Sequence, residues 1–133
     1  MAKLIRSIPC LNVIIDKETN NATYIHVVEV LSLQEGESFL PIIIGTLWQR
    51  TKKRDNLDMR VRIFPPSGDP HEGKGIRVEF GEYERYRINL RLPRFPVGES
   101  GDYRIVIEHM GRKGWVKDDE FILPVTIGSG PSD

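Results

Sequence analysis

The sequence holds a single cysteine, Cys10, in 133 residues. One cysteine excludes an internal disulfide and is typical of a protein from a reducing compartment. No apolar run approaches the about 18 residues that a membrane-spanning helix needs, and residues 1–9 lack the continuous apolar core of a cleaved signal peptide. By elimination, these absences predict a cytoplasmic protein without a membrane partner.

An excess of charge of either sign is also missing, because nineteen basic residues balance nineteen acidic ones. No global field therefore draws the chain to nucleic acid, although a local cluster could. The sequence has no Gly-x-Ser-x-Gly motif and no phosphate-binding glycine loop. Cys10 beside one of the histidines (His26, His71 or His109) could form a reactive pair, but its apolar strand favours an inert, buried thiol. We predict no catalytic residue and no cofactor.

The hydrophobic pattern that is present repeats every two residues, and no segment of ten or more residues has a helical period. Leu57, Met59, Val61 and Ile63, for example, alternate with polar residues. About eight short strands, with turn signals roughly every ten residues, predict an all-β fold. We expect one antiparallel sandwich domain of seven to nine strands over residues 1–128, with a flexible tail at 129–133. A closed barrel is the alternative.

The segment from Glu99 to Ile107 specifies the kind of sandwich. An acidic, glycine-containing turn leads directly into an alternating strand whose first large residue is Tyr103. This is the pattern of a tyrosine corner, in which the tyrosine hydroxyl bonds back to the preceding loop. Ile105 stands where antibody domains have the second disulfide cysteine. The segment predicts an immunoglobulin-like sandwich without a disulfide.

Three further features refine the predicted strands. The run Ile42–Ile44 is expected to be buried on both sides, or half exposed if its strand is an edge. Trp48 is a candidate for the core tryptophan that immunoglobulin sandwiches carry on strand C. Gly111–Gly114 is expected to be a hairpin turn between the last two strands.

Short motifs spread over most of the chain carry a resemblance to a known family. They are the strand with Cys10, the strand Tyr24–Val30, Pro41 before a buried strand, the strand-to-turn step Val61–Gly68, the segment Gly101–Ile105 and the closing Leu123–Val125. In this order they resemble a family of small, uncharacterised bacterial proteins with an immunoglobulin-like sandwich, of the domain-of-unknown-function kind. The resemblance implies the fold and brings no activity, cofactor or site residue.

Arginines dominate the middle of the chain. Residues 54–94 carry nine basic residues, eight of them arginine, against seven acidic ones. Arg60, Arg62, Arg87 and Arg91 fall on the outward face of their predicted strands, and they would form a cationic ladder if those strands share a sheet. Such a ladder could bind nucleic acid, but intervening glutamates could instead neutralise it by cross-strand pairing.

We expect a non-catalytic binding or assembly module that acts through a protein partner or through self-association. The candidate contact residues are Arg60, Arg62, Arg87, Arg91, Phe95 and Trp115, because arginine and aromatic residues are enriched at interface hot spots.

The alternatives are nucleic-acid binding through the arginines, and a small-ligand or metal-dependent enzyme that uses loops around His71 and Asp118. A metal site would require Asp16, Asp69 and Asp118 to converge at one end of the fold, since a hard cation needs several oxygen ligands.

Overall fold

The chain forms two β-sheets, each the centre of one compact unit of structure. The computed structural model describes residues 2–34, 42–73, 75–92 and 97–128. The described residues contain strands and turns but no helix, so none of their segments is a helix that could cross a membrane. The all-β prediction is confirmed. The predicted tail, residues 129–133, lies outside the described residues, and the single-domain boundary stays a prediction.

Ten strands occur within the described ranges, which corrects the expected seven to nine. In chain order they are β1 (Lys3–Ile15), β2 (Ala22–Val27), β3 (Leu31–Gln34), β4 (Ile43–Gln49), β5 (Asn56–Phe64), β6 (His71–Glu72), β7 (Ile76–Glu79), β8 (Arg85–Arg91), β9 (Gly101–Gly111) and β10 (Gly114–Gly128).

The first sheet has four antiparallel strands in the order β2-β1-β4-β8. Strand β4 has a neighbour on each side, so Ile42, Ile43 and Ile44 are buried and the edge alternative is wrong. Trp48 is fully buried, as predicted. Its Nε1 donates to Thr46 Oγ1 at 2.9 Å, and Thr46 Oγ1 donates to the Ile88 carbonyl at 2.7 Å. This relay satisfies polar groups that burial would otherwise leave without water.

The second sheet has the order β3-β10-β9-β5-β6, and β7 also pairs with β5. Strand β3 runs parallel to β10, which corrects the expectation of a purely antiparallel fold. Strands β9 and β10 form the predicted hairpin, with Gly111 opposite Gly114. Along β9 the buried Tyr103, Ile105 and Ile107 alternate with side chains of the opposite face, as period-two alternation requires.

The tyrosine corner has the geometry that its sequence predicts. Tyr103 is 1% exposed, and its hydroxyl donates to the Glu99 carbonyl at 2.8 Å. Burial raises the pKa of Tyr103, so the hydroxyl stays protonated and able to donate at neutral pH. Ile105 is fully buried at the position of the absent cysteine. The corner therefore fixes the loop at Glu99 to the start of β9.

Candidate interaction surface

The four arginines predicted to form one ladder lie in two different sheets. Arg60 and Arg62 are on β5 of the six-stranded sheet, whereas Arg87 and Arg91 are on β8 of the four-stranded sheet. The prediction of a shared cationic ladder is therefore wrong. It failed because strand alternation fixes the face on which a side chain lies but not the sheet to which the strand belongs.

One face of the six-stranded sheet brings together several arginine and aromatic side chains. We call it the Arg–Trp face and define it by Arg60, Arg62, Phe64, Arg104, Glu108, Met110, Trp115, Glu120 and Ile122. Cross-strand register explains the grouping, because directly opposed residues share a face. Arg60 lies opposite Glu108, Phe64 opposite Arg104, and Met110 opposite Trp115. The face is the reverse side of the strands that bury Tyr103 and Ile105.

Glu108 connects two of the predicted arginines and is itself only 7% exposed. Its Oε1 accepts a hydrogen bond from Arg60 Nε at 2.8 Å, and its Oε2 lies 3.8 Å from Arg62 Nη1. Arg62 Nη2 also lies 3.3 Å from Glu72 Oε1 on β6. Carboxylates from neighbouring strands do pair with these two arginines, but they are Glu108 and Glu72 and not the intervening Glu79, Glu82 and Glu84 that the sequence suggested.

Aromatic rings also contact the arginines of this face, with each guanidinium group lying over a ring. The Cζ atom of Arg60 lies 4.2 Å from the centroid of the Trp115 ring. Phe64 contacts two arginines in this way, with Arg62 at 4.7 Å and Arg104 at 4.2 Å. Cation–π contacts of this kind contribute about 0.5–1 kcal/mol where they are exposed to solvent. Each of these guanidinium groups therefore has an aromatic neighbour on the face.

A second carboxylate extends the network toward the centre of the hairpin. Glu120 Oε1 accepts from Arg104 Nη1 at 2.8 Å, and Glu120 Oε2 lies 3.6 Å from Lys117 Nζ. The hydrogen bond from Arg104 lowers the pKa of Glu120 below its usual value. The carboxylate is therefore ionised throughout the neutral range, and the face carries both signs of charge in alternation.

Two exposed apolar side chains lie within this charged network. Ile122, opposite Arg104 in the register, is 54% exposed, and Met110, opposite Trp115, is 40% exposed. The face thus combines fixed arginines, half-buried aromatic rings and accessible aliphatic groups. Arginine, aromatic residues and methionine are enriched in interface cores relative to the rest of the protein surface.

The remaining predicted contact residues are placed as follows. Trp115 is half-buried and belongs to the Arg–Trp face. Phe95 lies outside the described residues. Sequence analysis missed Arg104 and Glu108 of β9 as members of the face. Their alternation with the Tyr103 strand was readable, but their contacts with β5 depend on long-range pairing that the sequence does not encode locally.

His71 lies at a separate cleft of about 560 Å³ in the same unit. Its lining includes Asp69, His71, Glu99 and Tyr103. Ser67 donates to Glu99 Oε1 through both its backbone amide (3.0 Å) and its hydroxyl (2.7 Å), which fixes the carboxylate at the cleft wall. The cleft therefore presents several polar groups around one volume.

Asp118 is not among the described residues that line that cleft, so the structure does not bring His71 and Asp118 together there. The residue lies inside β10, at a register shift between Lys117 and Asp119, and not in a loop. A bulge of this kind re-aims the extra side chain. Here Asp118 Oδ2 lies 2.7 Å from His109 Nδ1, and burial raises the pKa of the aspartate although His109 lowers it.

Neither a metal centre nor a reactive thiol emerges from the described residues. Within the described ranges, no three His, Cys, Asp or Glu side chains are grouped so that they could hold a metal ion. The convergence of Asp16, Asp69 and Asp118 is therefore not found. Cys10 is fully buried, and this burial raises the pKa of its thiol, which disfavours the nucleophilic thiolate.

Comparison with known proteins adds no further assignment, because no protein-family model and no curated protein matches the chain. The resemblance to a bacterial family of immunoglobulin-like sandwiches stays a prediction.

Proposed function

We propose that this chain is a non-catalytic binding or assembly module that contacts a protein partner through its Arg–Trp face. One observation carries the proposal. Three arginines are fixed by carboxylates and aromatic rings beside the exposed Met110 and Ile122. Side chains that are already ordered lose less conformational entropy when a partner binds, so more of the contact energy is retained as affinity.

The pairing of the arginines favours a protein over a nucleic acid. A nucleic-acid surface gains its affinity from basic side chains that replace counterions on phosphates. Arg60 and Arg62 already contact Glu108, and Arg104 already contacts Glu120. A phosphate would have to compete with these carboxylates, whereas a protein partner can meet alternating charges and apolar side chains together.

The partner is a second copy of this chain or another protein, and one pair of matched substitutions tests both. Ile122→Glu places a carboxylate in the Arg–Trp face, and Ile14→Glu makes the same change on β1 at equal exposure, 53% against 54%. Self-association is measured by sedimentation of the purified protein over a range of concentrations. Other partners are measured by quantitative affinity purification from the native cells.

We expect Ile122→Glu to remove the association while Ile14→Glu leaves it intact. The proposal is overturned if Ile14→Glu is the disruptive change, or if both variants retain the association of the unmodified chain. A strictly monomeric protein that recovers no partner also contradicts it. Circular dichroism of both variants checks that the loss does not come from unfolding.

The proposal includes an immunoglobulin-like sandwich as the finer fold class. In that fold, strands A, B and E share one sheet and strands C, F and G share the other. The orders β1-β4-β8 and β5-β9-β10, together with the corner at the start of β9, support this correspondence. A sandwich of this length has a radius of gyration of about 14 Å by the scaling for compact domains. A much larger value in X-ray scattering of the monomer would contradict it.

A reducing, cytoplasmic environment also belongs to the proposal, since the one cysteine is a buried free thiol. Cell fractionation tests it, and recovery of the native protein from an oxidising compartment would count against it.

A small ligand at the His71 cleft is the second candidate function. It is favoured by the polar groups of Asp69, His71 and Glu99 around a volume in the usual range for ligand pockets. NMR titration with a library of small polar compounds tests it. Shifts at these residues that disappear in His71→Ala are expected, and a library that shifts none of them argues against this candidate.

A further inference from the structure

A second cleft lies in the four-stranded sheet. It has a volume of about 480 Å³, and its lining includes Arg6, Asn20, Tyr24, Arg85 and Arg87. The register accounts for two of the arginines. Arg6 on β1 and Arg87 on β8 are both opposite Leu47 of β4, so the three residues form one row across the sheet. Arg85 lies two residues before Arg87 on the same strand and therefore on the same face.

The described lining residues of this cleft include three arginines and no acidic residue, in contrast to the Arg–Trp face. Arg85 Nε donates to Gln49 Oε1 at 3.0 Å, and Arg87 Nη2 donates to the Asn20 carbonyl at 2.6 Å. Both acceptors are neutral, so they hold the guanidinium groups in place without cancelling their charge. The cleft is therefore lined by three guanidinium groups, and no described carboxylate pairs with any of them.

The ring of Tyr24 lines the same cleft, and it fits there because Gly45 has no side chain. A Cβ atom at Gly45 would lie 2.5 Å from Tyr24 Cε1 and 3.2 Å from its Cδ1. Only glycine therefore lets the ring lie directly against the backbone of β4. Asn20, whose carbonyl anchors Arg87, has a φ of 60°, a left-handed conformation that asparagine tolerates better than most residues. Two unusual local features thus support the walls of the cleft.

We propose that this cleft binds a small phosphorylated molecule through Arg6, Arg85 and Arg87. Arginine binds phosphate oxygens with two parallel hydrogen bonds, and it stays charged at every physiological pH. Three arginines without acidic partners match a ligand that carries more than one negative charge. The volume lies within the about 300–1,000 Å³ typical of small-molecule sites.

Pyrophosphate is the probe, and calorimetry at low ionic strength is the measurement. Arg6→Gln is the diagnostic variant, because it removes a charge from the cleft without removing any described hydrogen bond of the fold. Arg91→Gln is the matched control, since Arg91 is an exposed arginine of β8 that is not among the described lining residues. Citrate and sulfate serve as anions of other chemistry, and a short single-stranded RNA serves as a polymeric phosphate.

We expect Arg6→Gln to weaken pyrophosphate binding about tenfold or more, the equivalent of losing one charge-assisted hydrogen bond. Arg91→Gln should leave the binding unchanged. Equal loss in both variants, or equal affinity for citrate, sulfate and pyrophosphate, would show a general charge effect and overturn the proposal. Tighter binding of the RNA that is lost in Arg6→Gln would overturn the assignment to a small molecule. No binding of pyrophosphate by the folded, unmodified chain would refute it outright.

Discussion

Removal of the Glu108 carboxylate is the most informative perturbation of the Arg–Trp face. The side chains of Glu108, Arg60 and Arg62 are 9%, 16% and 23% exposed, so the two ion pairs are largely shielded from water. Exposed pairs contribute about 0–1 kcal/mol, whereas removing one partner of a fully buried pair costs about 3–5 kcal/mol. Glu108→Ala should therefore lower the free energy of unfolding by about 2–3 kcal/mol, an intermediate value.

Two further substitutions separate the charge from the side-chain volume. Glu108→Gln keeps an oxygen acceptor for Arg60 but no charge, so its cost should be about half that of Glu108→Ala, since a neutral hydrogen bond is about half as strong as a charged one. The double variant Arg60→Met with Glu108→Leu removes both charges and keeps the volume. It should recover part of the lost stability, because Arg60 is removed together with its partner, while Arg62 loses Glu108 but keeps its contact with Glu72.

Urea unfolding monitored by circular dichroism measures these differences, provided that the slope of the transition stays constant. Glu82→Ala is the control, because Glu82 and Arg54 are 89% and 85% exposed at a separation of 4.0 Å. We expect no measurable change there. If Glu108→Ala costs no more than Glu82→Ala, the carboxylate does not hold the arginines, and the proposed preordering of the face is refuted.

Three further predictions concern the fold. Thr46→Val should be about 1–3 kcal/mol less stable than Thr46→Ser in urea unfolding, because valine cannot accept the hydrogen bond from Trp48 Nε1. Equal stability of the two variants would contradict the hydrogen-bonded relay. Tyr103→Phe should cost about 1 kcal/mol by loss of the corner hydrogen bond, and an unchanged melting temperature would count against it. Burial raises the pKa of Asp55, but backbone amides, including that of Thr51, outweigh it and hold the pKa below the ordinary 3.8. The ionised Asp55 therefore stabilises the fold above pH 3.8, and this stabilisation is lost as the pH falls through the lower pKa that Asp55 has in the folded protein. In Asp55→Asn, the free energy of unfolding should depend less on pH in the acid range. The same pH dependence in this variant and in the unmodified chain would contradict the role assigned to Asp55.

Much of the fold could be predicted because its signals are local. The alternation along β5 and the turn at Gly111–Gly114 each involve neighbours in sequence, and the corner bond from Tyr103 spans only four residues. The candidate surface was predicted in part, since Arg60, Arg62 and Trp115 were named from alternation and residue type. Their acidic partner was not, because Arg60 and Glu108 are 48 residues apart. Asp118 was predicted to lie in a loop because the bulge in β10 breaks the regular alternation by which a strand is recognised.

The sequence by itself determined which residues of each strand turn inward, because successive side chains of an extended chain must point to opposite faces and apolar ones avoid water. Only the tertiary structure decided which strands are neighbours. That choice gave Arg60 an acidic partner on β9. It placed Arg87 in one row with Arg6, on the two sides of β4, with no acidic partner for either among the described residues. The physical reason is that pairing depends on hydrogen bonds between backbones, which are the same at every residue except proline and therefore carry little local information about their partners.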